Sequence, residues 1–130
     1  MITVKLQELN KKNLNGRIYP TAVVEKAIES AKERIENGNF WGTLGVPQGP
    51  SIPLDLISHR VLALRIEGDY LVGDVKILDT PMARTYQEIE ESKLYSVTWR
   101  PMGTGKVDND GVITDYNIMG ITAIPATDAA

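Results

Sequence analysis

The chain has 130 residues, with 14 Lys and Arg against 17 Asp and Glu (net charge -3), one His and no Cys. These totals exclude disulfides and thiolate metal sites, leave a histidine-rich zinc site within one chain untenable, and argue against nucleic acid or an anionic membrane as the main partner. The length fits one core, so one domain over 1–130 is expected. No apolar run approaches the ~20 residues that cross a bilayer, and Met1 to Leu6 lacks the basic start and long apolar centre of a signal peptide. A soluble protein made in a cytoplasm, with no cofactor, is the expectation.

Ile2, Val4 and Leu6 alternate with Thr3, Lys5 and Gln7, which predicts a first strand over residues 1–9. Asn10 to Gly16 reads as a loop, and Arg17 to Pro20 as a short extended piece before a helix that cannot begin earlier than the proline allows. Thr21 is the expected N-cap. Val24, Ala27, Ile28, Ala31 and Ile35 recur at helical spacing, with Arg34 among the residues given to the wet side and Asn37-Gly38 as the stop. From Asn39 to Pro53 the glycines and prolines predict a structured loop with no regular element. Leu56 to Ile66 and Tyr70 to Leu78, joined by Glu67-Gly68-Asp69, predict a hairpin. Asp79-Thr80-Pro81 opens a second helix carrying Met82, Tyr86 and Ile89, which ends near Ser92-Lys93. A strand follows at residues 95–100 and stops at Pro101. Gly103-Thr104-Gly105 reads as a loop, Asp108 to Gly111 as a turn, and Val112 to Ile124 as one or two last strands.

The strand at 95–100 is the one place where a polar face carries chemistry. Tyr95, Val97 and Trp99 fall on one side of a pleated strand, and Ser96, Thr98 and Arg100 on the other. A hydroxyl nucleophile needs a base within hydrogen-bond reach, and His59 is the one histidine that can serve. Thr98 is the candidate nucleophile with His59 as base and Arg100 beside the oxyanion, and Ser96 is the lesser alternative; a gap filled by Trp41, Val46 or Met102 would instead mark a lost site. Gly103 to Lys106 lacks the spacing, the following Ser or Thr, and the helix of a phosphate loop. Asp108 to Gly111 lacks the distal glutamate of a calcium loop and is expected to be a turn.

Taken in order, Asn15-Gly16-Arg17-Ile18-Tyr19-Pro20, Gly42 to Pro47, Ile57-Ser58-His59, Glu67-Gly68, Gly73 with Lys76-Ile77-Leu78, Thr80-Pro81, Val97-Thr98-Trp99-Arg100 and Ile124-Pro125 to Ala129 resemble the prohead core proteases of tailed phages, relatives of the herpesvirus assemblins. The resemblance runs from about residue 13 to 130 and rests on the order of many short matches. It implies an α+β, mostly β fold: a compact assemblin-like β-barrel with two flanking helices. It also implies a serine nucleophile with a histidine base, and work in head assembly on scaffold and capsid proteins. Under this resemblance His59 falls on the catalytic histidine and Arg100 on the arginine after the nucleophile. The nucleophilic serine falls on Thr98, the small residue before it on Ser96, and the glycine after the arginine on Pro101, which has no N–H for an oxyanion. Gly42-Thr43 and Val46-Pro47 stand where Gly-Glu and His-Pro are usual, and Thr122 where an aspartate is usual.

Under this resemblance His59, Arg100 and the residues that shape the fold are kept, while each departure removes a polar or small residue that would do chemistry. The expectation is therefore a phage head-associated structural protein, a capsid decoration or assembly component, with a degenerate active site. Its expected partners are the major capsid protein and/or scaffold, with self-association or capsid binding, no nucleic acid and no membrane, and its place is the virion head or procapsid. The alternative is an active procapsid-maturation endopeptidase using Thr98 or Ser96 with His59. A third reading is a small β-barrel binding module unrelated to capsids.

Overall fold

The computed structural model describes residues 1–47, 52–92 and 97–126. Among the described residues six strands form a single sheet: β1 (Ile2–Glu8), β2 (Trp41–Leu44), β3 (Ile57–Glu67), β4 (Tyr70–Ile77), β5 (Val97–Val107) and β6 (Ile113–Pro125), in the order β1-β4-β3-β2-β6-β5. All neighbours are antiparallel except β2 and β6, which run parallel. Edge strands β1 and β5 also approach one another, so the sheet curls toward closure. Two helices flank it: α1 (Thr21–Glu36) against β6 and β3, and α2 (Pro81–Ser92) against β3 and β2. The α+β, mostly β fold with two flanking helices is the architecture expected, the compact β-barrel of the expectation taking the form of a curled half-barrel.

Within α1, Val24, Ala27 and Ala31 are fully buried and Ile28 and Ile35 pack beside them, the stripe read from the periodicity. Three details differ. The N-cap is Pro20, not Thr21, and no side chain caps the helix. Thr21 is instead clamped by Asn10, whose Oδ1 accepts from the Thr21 N–H at 3.0 Å and whose Nδ2 donates to Thr21 Oγ1 at 2.8 Å. Arg34 leaves the wet side: it is half-buried, donates to the Ile118 carbonyl at 2.7 Å, and lies 5.0 Å from the centre of the Phe40 ring.

Two strand assignments are also corrected. The stretch read as an irregular loop contains β2, whose Gly42 and Thr43 are buried between β3 and β6. The strand read as ending at Pro101 runs on to Val107, with β6 paired along its whole length. Proline is accommodated because β5 is an edge strand and needs partners on one side only. Gly103 and Gly105, read as loop residues, lie within this strand; a Cβ on either would run into the Asn117 or Asp115 carbonyl.

Candidate functional site

His59 is positioned by β3, opposite Gly42 of β2 and Ile77 of β4. Gly42 matters because its missing side chain leaves room for the imidazole. A Cβ there would lie 3.1 Å from the His59 Cβ and 3.2 Å from Ile121 Cγ1, tighter than nine in ten real contacts, so a neighbour would have to shift. The His59 ring has no solvent exposure. Its Nδ1 is 2.7 Å from Ser58 Oγ, a hydroxyl that is also fully buried and lies 3.4 Å from the Gly42 carbonyl. Nε2 is buried and has no hydrogen-bond partner among the described residues. The rings of Tyr86 and Trp99 stand edge-on to the imidazole, each with its centre 4.6 Å away. Burial without a carboxylate to offset it lowers the His59 pKa to about 4, so the ring is neutral near pH 7.

The contact with Trp99 fixes the sense of the curl. Strands β2 and β6 intervene between β3 and β5, which in a flat sheet would put His59 and Trp99 roughly 14 Å apart, three strand spacings. Their rings meet because both project from the concave side. Cross-strand pairing agrees: His59 lies beside Gly42, Gly42 beside Ile121, and Ala123, two residues on, beside Trp99. Since alternate residues of a strand point to opposite faces, Thr98 and Arg100 leave β5 on the convex side.

On that convex side Thr98 is half-buried and pairs with Ile124, and Arg100 pairs with Thr122. Arg100, Thr122 and Ile124 line a cleft of about 530 Å³, whose walls include Val46, Ile52, Met102 and Met119. Thr122 is buried, with its Oγ1 3.0 Å from Thr43 Oγ1 and 3.3 Å from the Thr43 carbonyl, while Thr43 Oγ1 donates to the Gly45 carbonyl at 2.8 Å. The hydroxyls of Thr122 and of its neighbour Thr43 in β2 thus satisfy each other. Arg100 also acts on Tyr116: burial pushes that phenol's pKa well up, and the guanidinium opposes the shift.

The structure therefore brings Thr98 and Arg100 to one face and His59 to the other. Neither His59 nitrogen bonds Thr98: Nδ1 meets Ser58, and Nε2 has no partner among the described residues. Ser96 lies outside the described residues. The rings that enclose His59 are Tyr86 and Trp99, not the Trp41, Val46 or Met102 considered from the sequence. Sequence reasoning had placed Tyr86 on the inner side of α2 and Trp99 opposite Thr98, but nothing in either pattern says that α2 and β5 converge on β3. The Ser58 contact is between chain neighbours, and no spacing signal marks it.

No family model and no curated protein sequence matches the chain. Among solved structures, the bacteriophage T4 capsid assembly protease, gp21, superposes with a TM-score of 0.75 at 18% sequence identity, over 95% of this chain and 79% of that one. That superposition gives this chain the fold of a phage capsid assembly protease.

Proposed function

We propose that the protein is a head-associated structural component of a tailed phage, a decoration or assembly protein built on a capsid-protease fold whose active site has degenerated. The observation that carries this reading is the placement of His59. A general base must lie within about 3 Å of the hydroxyl it activates, directly or through one water. Here the only histidine is enclosed by Tyr86 and Trp99 on the concave side, while Thr98 faces the convex side. An imidazole with its pKa lowered to about 4 is also a weak base. Pro101 has no N–H to donate to an oxyanion, and the Thr122 hydroxyl is engaged by Thr43 rather than offered to a histidine. Triad members act as a unit, so these losses compound.

The partners that fit are the phage's major capsid protein and scaffold, met in the procapsid or head, with self-association on the shell. The expected experiment is quantitative mass spectrometry of purified proheads and mature heads. Retention in mature heads at copy numbers proportional to the major capsid protein is the predicted result. Loss of the protein on maturation, or a few copies in proheads alone, would overturn it in favour of a maturation endopeptidase acting through Thr98 or Ser96 with His59 and Arg100.

A further inference from the structure

We propose that Trp99, not Thr98, holds the place on β5 from which a nucleophile would reach His59, so that the site is closed by an indole plug over a preserved hydroxyl–imidazole pair. This inference rests on the degenerate-site reading above and says where the degeneration lies. In a working hydroxyl–imidazole site one ring nitrogen is held by an orienting group and the other faces the nucleophile. His59 keeps the first arrangement, with Nδ1 2.7 Å from Ser58 Oγ. Its Nε2 is buried and without a partner among the described residues, in a ring that has no solvent exposure. Buried polar nitrogens are rarely left so, and this one is open to a donor projecting from the same face.

Register then says which β5 residue could supply that donor. Trp99, Ala123, Ile121, Gly42 and His59 share one face through successive cross-strand neighbours, and Trp99 is the β5 side chain whose ring meets the imidazole. Thr98 is out of phase by one residue, which in a strand means the opposite face. A serine in place of Thr98 would add no group to the side on which His59 lies. Tyr86, 5.6 Å from Trp99, completes the enclosure from α2.

Because His59 is the only histidine and the chain has no cysteine, its ring can be followed without interference. In the unmodified protein, proton NMR should show nuclear Overhauser contacts from the His59 ring to the Trp99 indole and Tyr86 ring, and none to the Thr98 methyl. Diethyl pyrocarbonate should modify His59 at least tenfold more slowly than free imidazole. Trp99→Ala should restore rapid modification and move the His59 titration midpoint up toward 6.5, and added indole should slow the modification again. Thr98→Ala should change neither reading. Thr98→Ser should remain unlabelled by a fluorophosphonate, a reagent that marks a serine activated by a base. Overhauser contacts from His59 to Thr98, or fluorophosphonate labelling of Thr98→Ser that is lost with His59→Ala, would overturn the assignment; the contacts are read on the unmodified protein, so the test survives a Trp99→Ala variant that does not fold. Failure of the head-copy-number experiment would leave these contacts unchanged, which keeps the two readings separable.

Discussion

At the scale of single residues, the environment of His59 makes its protonation a stability matter. The unfolded chain takes up the proton near pH 6.5, whereas the folded one resists until about pH 4. Stability contributed by the neutral ring is therefore fully present above pH 6.5 and is lost as the pH falls toward 4. The predicted loss is on the order of 3 kcal/mol across that window. Denaturant unfolding at a series of pH values should show it, and His59→Phe should flatten the curve between pH 6.5 and 4.5. A second residue-scale prediction concerns Thr122. Because its side chain is buried and bonded to Thr43, Thr122→Asp should lower stability by at least about 2 kcal/mol, as a carboxylate is forced into a site already closed. The same variant should gain no endopeptidase activity, since the imidazole lies on the other face.

Elements show where sequence reading holds and where it fails. The apolar stripe of α1 and the hairpin of β3 and β4 are local patterns, and both stand in the structure as read. The helix α2 is likewise begun by Thr80, whose Oγ1 accepts from the Ala83 N–H at 3.1 Å and donates to the Ile57 carbonyl at 2.7 Å. Thr80→Ala should loosen α2 from β3 and cost about 1–2 kcal/mol, seen as faster amide exchange along α2. In contrast, β2 is four residues with Gly42 and Thr43 at its centre, and its strand character comes wholly from pairing with β3 and β6, far away in sequence. Similarly β5 runs through Pro101, Gly103 and Gly105, residues that locally signal a loop, because β6 pairs with it throughout. Gly105→Ala should destabilise the hairpin by about 1–3 kcal/mol through collision with the Asp115 carbonyl, measured as a lower unfolding midpoint.

For the whole molecule, the fold was legible and the site only in part. Alternation along β5 separates Trp99 from Thr98 and Arg100 as the pairing with β6 does, and His59, read as the candidate base, is the chain's single histidine. Missing was the curl that carries a β3 side chain across β2 and β6 to meet β5, a long-range property of a sheet whose edges nearly close. That curl reverses the expected partnership: His59 meets the apolar face of β5 and not the polar one. Under the proposed function, a protease-like fold is kept for its shape while the His59 ring is enclosed by Tyr86 and Trp99. The proposal is tested most directly by co-expressing the protein with the major capsid and scaffold proteins of the same phage and mapping their termini by mass spectrometry. The account predicts intact capsid and scaffold chains whether or not the protein is present; new termini that appear with the protein and vanish with His59→Ala would contradict it.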